Sequence, residues 1–215
     1  MGNTMNTANV QARRHSPAEH LWTDFQVGTV GGEYGVSLRE VPFQAMVGIR
    51  VDPLSHGGQR IAALIGALPA ASGQVTRGGA DSLAPEASTL WLAPDEFLVV
   101  APDEPTPGTL AAALVAALGD TAGQVIDLSS NRTTFELAGP SARAVLEKSC
   151  AADLHPRTLT AGTAITTEIN KIPTLLWKTG DETFQIFPRA SFADYLGRWL
   201  LDGMREFASG GAPWH

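Results

Sequence analysis

Apolar and polar positions recur along the chain with periods that sort most of it into strands and helices. Phe43, Ala45, Val47, Ile49 and Val51 alternate with Gln44, Met46, Gly48 and Arg50, the two-residue period of a strand with one buried face. Ile61, Leu64, Ile65 and Leu68 follow at helical spacing, with Pro69 as the stop. The stretch from Gln74 to Ser88 is dense in Gly, Ala, Ser and Pro and reads as a loop. After it, Leu90-Trp91-Leu92 and Phe97-Leu98-Val99-Val100 flank Pro94-Asp95-Glu96 as a hairpin. Thr106-Pro107 places a capping hydroxyl before a first-turn proline, and Leu110, Leu114, Ala117 and Leu118 give a helical stripe ending at Gly119. With Val125 to Leu128 as a strand, the order is strand, helix, hairpin, helix, strand, which is ferredoxin-like.

The second half repeats this plan. Thr133, Phe135 and Leu137 alternate as a strand, and Gly139-Pro140 opens a helix carrying Ala142, Val145, Leu146 and Cys150 on one face. Ala164 to Ile169 and Thr174 to Trp177 read as strands on either side of Pro173, and Gly180-Asp181 as the turn before Phe184-Gln185-Ile186. The last helix has capping-box spacing in Ser191-Phe192-Ala193-Asp194 and one apolar stripe: Phe192, Tyr195, Leu196, Trp199, Leu200, Met204 and Phe207. Asp194 with Arg198, and Arg198 with Asp202, stand at ion-pair spacing on its polar face. The expected fold class is α+β: two ferredoxin-like α/β sandwich units of mostly antiparallel sheet. Its halves cover about 36–128 and 129–208. Residues 1–35 carry little periodic pattern and read as a flexible arm with a short helix near Pro17 to Trp22, and 209–215 as a tail.

Composition narrows the function. At 215 residues, with 44 % hydrophobic and 17 % charged residues, the chain can bury a full core. A formal charge of −7 with scattered Lys and Arg argues against a nucleic-acid partner. No run approaches about 18 apolar residues, and Arg13-Arg14 precede no secretory apolar run, so no membrane association and a cytoplasmic location are expected. Cys150 is the only cysteine, which rules out an internal disulfide and reads as a small core residue.

A search for chemistry returns little. The sequence holds no Gly-x-Ser-x-Gly elbow, no phosphate-binding Gly-Lys-Ser/Thr loop and no Gly-x-Gly-x-x-Gly turn. The five histidines form no pair at metal-ligand spacing, so no catalytic, cofactor or metal residue is assigned. Asp127, set among Val125, Ile126 and Leu128, suits either proton transfer or capping of the Ser129-Ser130 turn, and the capping role is favoured. Asn131 with Arg132, and His155 with Arg157, could hold an anion, although such surface groups more often serve solvation or an interface. Trp22 and Trp214 lie outside every periodic element; each either anchors a partner or packs on its own domain. These six residues form the candidate partner interface.

Asp127-Leu128-Ser129, Leu137-x-Gly139-Pro140-x-Ala142 and Leu146 resemble the opening of the aminomethyltransferase family, the tetrahydrofolate-binding T protein of the glycine cleavage system. A narrower resemblance runs in order from about residue 36 to 208. Val41-Pro42-Phe43, Leu92-Ala93-Pro94-Asp95-Glu96-Phe97-Leu98, Asp127 through Thr133, Asp153-Leu154-His155-Pro156-Arg157 and Pro188 through Leu196 are similar to the gamma subunits of heterotetrameric sarcosine oxidases. That resemblance implies a complex with alpha, beta and delta chains that oxidatively demethylates sarcosine to glycine with oxygen. The products are hydrogen peroxide and either formaldehyde or, with tetrahydrofolate, methylenetetrahydrofolate. It also implies that FAD, FMN, NAD, tetrahydrofolate and zinc sit on other subunits and that this chain binds none. Where aminomethyltransferases carry a Gly-Gly-rich turn and a folate-contacting aspartate, this chain has Ile169-Asn170-Lys171-Ile172-Pro173, and it ends soon after Phe207, short of their C-terminal barrel. A scaffold that kept the fold without the chemistry is therefore expected. The reading from another class is a stand-alone folate-binding aminomethyltransferase-like enzyme.

Overall fold

The computed structural model describes residues 14–103 and 108–208. A 3-10 turn at Glu19–Leu21 leads into α1 (Trp22–Val27) and β1 (Ser37–Glu40). Then come β2 (Ala45–Val51), α2 (His56–Ile65), β3 (Val75–Arg77), β4 (Ser88–Ala93), β5 (Glu96–Ala101), α3 (Thr109–Leu118) and β6 (Gly123–Asp127). The second half holds β7 (Phe135–Ala138), α4 (Ala142–Glu147), β8 (Ala164–Ile169), β9 (Ile172–Gly180) and β10 (Thr183–Pro188). A 3-10 turn at Ala190–Phe192 then enters α5 (Ala193–Ala208).

The strands form two five-stranded sheets, ordered β3-β4-β5-β2-β6 and β1-β7-β10-β9-β8, and all the paired strands run antiparallel. The sheets have the same plan. Each is a ferredoxin-like four-strand order with a fifth strand added at one edge, β3 in the first and β8 in the second. The place that β6 takes beside β2 is taken beside β7 by β1, which arrives from the N-terminal side of the chain. The expected division at 36–128 and 129–208 is therefore corrected: residues 37–40 complete the second sheet, because β7 needs a neighbour and the last helix is followed by no described strand.

Three apolar clusters separate four layers. Ile61, Ile65, Leu110 and Leu114 of α2 and α3 pack on Val47, Ile49, Phe97 and Val99 of the first sheet. Met46, Leu90, Leu98, Val100, Leu175, Trp177 and Phe187 fill the space between the sheets. On the outer face of the second sheet, Phe135, Leu137, Leu176 and Phe184 meet Leu21 and Phe25, Val145 and Leu146 of α4, and Leu196, Leu200 and Met204 of α5. Because the first sheet is covered on both sides, Met46 is as buried as Val47, and the one-faced reading of β2 holds only at its far end, where Arg50 is exposed.

Local differences from the sequence reading have identifiable causes. Helix α2 stops at Gly66, whose φ of 98° a side chain would oppose, before Pro69 is reached. The Gln74–Ser88 loop carries the short strand β3. The Thr106-Pro107 cap lies outside the described residues. Pro173 is inside β9 rather than between strands, opposite Glu168, and the tight turn before it is Asn170-Lys171 with φ of 48° and 64°. The next turn is Asp181-Glu182, one residue beyond the expected pair.

Residues 14–35 are not a flexible arm. Ala18, Leu21 and Phe25 are fully buried in the third cluster, and Gly197 of α5 lies so close that a Cβ there would meet Leu21 Cδ1 at 2.9 Å. The capping box at Ser191 does not form, because a 3-10 turn precedes α5 and leaves Ser191 inside the helical run. Asp194 instead pairs with His20 Nε2 at 2.6 Å and Arg198 Nε at 2.9 Å, while Asp202 pairs with Arg205 at 3.4 Å rather than with Arg198. Phe192 and Tyr195 leave the apolar stripe for solvent at 37 % and 51 % exposure, and Tyr195 Oη accepts a hydrogen bond from Asn170 Nδ2 at 2.7 Å. Cys150 lies beyond α4, half-buried, with its Sγ 3.7 Å from Thr167 Oγ1.

Candidate functional site: a junction cavity and its N-terminal clamp

Glu40, the last residue of β1, points to the same side as Leu38 and is buried. Its carboxylate collects three donors from different parts of the chain. Ala18 N donates to Oε1 at 3.1 Å, Thr133 Oγ1 to Oε1 at 2.5 Å and Trp22 Nε1 to Oε2 at 2.8 Å. No cation is among them, so hydrogen bonds alone satisfy the buried carboxyl group. This clamp fastens the N-terminal segment to the point where β1 approaches the Thr133-Thr134 step into β7.

Beside the clamp, a cavity of about 470 Å³ opens where β2 begins and β6 ends, with Arg14, His15, Phe43, Asp127, Ser129 and Arg132 among its lining residues. Phe43 has a φ of 60°, an uncommon conformation for a bulky residue, and Arg14 lies over its ring at 4.3 Å. Arg14 is neutralised by Asp103 at 3.0 Å and His15 pairs with Glu19 at 2.9 Å. Asp127 accepts both the Ser129 backbone N–H at 2.9 Å and the Ser129 hydroxyl at 2.6 Å on Oδ1, the capping role favoured from sequence. Arg132 donates from Nη1 to the Phe187 carbonyl at 2.7 Å. Burial first, and the charge of nearby Arg189 second, pull its pKa below the ordinary arginine value, although an arginine remains cationic at neutral pH.

The structure brings only some of the candidate interface residues together. Arg132 lines the cavity; Asn131 lies at its margin, with its carbonyl accepting from Ala190 N at 2.9 Å. Trp22 is both things weighed from sequence: its indole N–H is held by Glu40, while 39 % of the residue stays exposed. His155 and Arg157 belong to a separate exposed turn, in which the Arg157 N–H donates to His155 Nδ1 at 3.2 Å. Trp214 lies outside the described residues. Sequence reasoning missed Glu40 and Arg14. The signal for Glu40 was its two-residue spacing from Leu38, which puts it on the buried side of a strand.

The His155 turn is organised by Asp153, whose carboxylate accepts the His155 N–H and the Thr158 hydroxyl, each at 2.9 Å. Those bonds, the backbone one foremost, hold its pKa below the ordinary aspartate value. A depressed carboxylate contributes stability above its unfolded pKa of about 3.9, and that contribution is lost as pH falls through the folded value. Asp153→Ala should therefore melt below the parent chain near neutral pH, with the gap closing below about pH 4. Thermal melts across that range check it; a gap that persists in acid counts against this turn.

Among the described residues, no group of three or more His, Cys, Asp and Glu side chains could hold a metal ion, and no helix is long and apolar enough to cross a membrane. Comparison with known proteins is decisive for the family. The family model described as sarcosine oxidase, gamma subunit family matches residues 61–206. The chain belongs to the sarcosine oxidase gamma subunit family. It is 49 % identical over 197 residues to sarcosine oxidase subunit gamma of Corynebacterium sp. strain P-1, covering 91 % of this chain and 92 % of that one. With the subunit gamma of Corynebacterium sp. strain U-96 it shares 46 % identity over 210 residues, 97 % of this chain and 98 % of the relative.

A solved chain of the heterotetrameric sarcosine oxidase from Corynebacterium sp. U-96, in complex with pyrrole 2-carboxylate, superposes with a TM-score of 0.84 at 46 % identity, over 91 % of this chain and 96 % of that one. The glycine cleavage system aminomethyltransferase T from Bartonella henselae matches with a TM-score of 0.60 at 17 % identity, over 86 % of this chain and 56 % of that one. The gamma subunit family thus shares the aminomethyltransferase fold. The resemblance seen in Asp127-Leu128-Ser129 and in Leu137 through Ala142 is one of architecture.

Proposed function

We propose that this chain is the non-catalytic structural and assembly subunit of a heterotetrameric flavoprotein sarcosine oxidase. Alpha, beta and delta chains carry out the oxidative demethylation of sarcosine and hold FAD, FMN, NAD, tetrahydrofolate and zinc. The observation that carries the reading is the superposition at TM-score 0.84 over 91 % of the chain onto a member of such a heterotetramer. The surface supports it. Trp22, Phe192 and Tyr195 present partly exposed rings, and aromatic side chains of this kind anchor partner contacts. Trp22 is hydrogen-bonded to Glu40, and His20 of the N-terminal segment pairs with Asp194 at the start of α5, close to Phe192 and Tyr195 in sequence.

Co-expression with the three partner chains is the test. The assembled complex should produce hydrogen peroxide from sarcosine, and the full chain purified alone should produce none and bind no flavin. Turnover of sarcosine, or transfer of a one-carbon unit to tetrahydrofolate, by the isolated chain would overturn the proposal.

A further inference from the structure

Two charged side chains of opposite sign line the junction cavity without an ion-pair partner among the described residues. Arg14 is paired with Asp103 and His15 with Glu19. Arg132 has only the Phe187 carbonyl, and Asp127 only the two Ser129 donors, both on Oδ1. Neither has an ion-pair partner among the described residues, and they do not pair with each other across the cavity. Arg132 is half-buried and Asp127 is exposed, and both line the cavity.

Charge logic restricts what such a cavity can take. A dianion would gain Arg132 but meet Asp127, and a simple cation would meet the reverse; a neutral molecule would leave the half-buried guanidinium without a counter-charge. A ligand with both signs can meet both groups at once. We infer that this cavity binds a small amino acid in its zwitterionic form, the carboxylate on Arg132 and the ammonium toward Asp127. A planar guanidinium suits a carboxylate, to which it can present two parallel N–H groups. Ser130 adds a further polar side chain to the lining, and Phe43 and Met46 add apolar ones for an N-methyl group or a short side chain. The volume of about 470 Å³ lies within the range of small-molecule sites. This inference stands on the cavity and its charges, and does not depend on the assembly role proposed above.

Calorimetric titration of the full chain with glycine and with sarcosine tests it, using acetate and methylamine as carriers of one charge only. Both zwitterions should bind, and each single-charge probe should bind at least about tenfold more weakly, the scale of one lost charged hydrogen bond. Asp127→Asn keeps an oxygen for Ser129 and removes only the charge, so it should weaken glycine about tenfold while acetate binds as before or better. Arg132→Gln should abolish glycine binding. If that variant fails to fold, Asp127→Asn alone decides. The inference is overturned if the folded chain gives no heat with either zwitterion, if acetate equals glycine, or if Asp127→Asn leaves glycine binding unchanged.

Discussion

Replacing Glu40 with alanine is expected to destabilise the chain by about 3–5 kcal/mol, the scale of breaking a buried charged hydrogen-bond centre. Ala18 N, Trp22 Nε1 and Thr133 Oγ1 would lose a common acceptor, and Ala18 N would become an orphaned donor within an apolar layer. Glu40→Gln retains one side-chain oxygen but turns an amide N–H₂ toward at least one existing donor, so it should cost less than alanine and more than nothing. The loss should also be visible locally. Trp22 would leave its anchored position, and the segment before β1 would exchange its amide hydrogens faster, since Glu40 links that segment to β7. Urea denaturation gives the global figure, and Trp fluorescence with hydrogen exchange the local one. A Glu40→Ala chain with the parent's midpoint would show that the clamp contributes nothing to stability.

The second large effect lies in the outer core of the second sheet. Phe135 is fully buried, stands edge-on to Phe25 with ring centroids 5.8 Å apart and planes at 83°, and fits against Gly197, where a Cβ would come within 3.4 Å of its Cζ. Phe135→Ala removes a ring that ties β7, α1 and α5 together, and the resulting cavity should cost about 3–5 kcal/mol. For a domain of this size that corresponds to a fall in Tm of roughly 6–20 °C. Phe135→Leu keeps most of the volume and should cost about 1–1.5 kcal/mol. Thermal unfolding of the two variants side by side separates cavity formation from loss of the aromatic contact. Equal losses would mean that the edge-on ring pair, rather than filled volume, dominates the site.

Much of the architecture was legible in the chain because it rests on periodicity over neighbouring residues. The β4–β5 hairpin, helix α3 with its stop at Gly119, and the burial of Leu196, Leu200 and Met204 on α5 all follow from local spacing. The misreadings share one physical origin, the competition of long-range partners with local signals. Asp194 had the spacing to cap α5, but His20, far away in sequence, takes its carboxylate. Phe192 and Tyr195 had the spacing of a buried stripe, but the stripe that α1 and β7 cover is narrower than the apolar one in the sequence. The cavity was only partly legible. Asp127 and Arg132 drew notice as candidate polar residues, while Arg14 did not, because nothing local reveals that the first residues of the described chain reach the end of β6.

The amino-acid sequence alone determined the alternation of strands and helices, the repeated ferredoxin-like plan and the likeness to the gamma subunit family, since each depends on residues a few positions apart or on motifs read in order. Tertiary structure alone decided that β1 completes the second sheet, that the sheets stack face to face so that both sides of β2 are buried, and that Asp127 and Arg132 line one cavity with Arg14. Those outcomes depend on which distant backbone edge or counter-charge reaches a group first. That is set by the packing of the whole chain and leaves no periodic trace in any one segment.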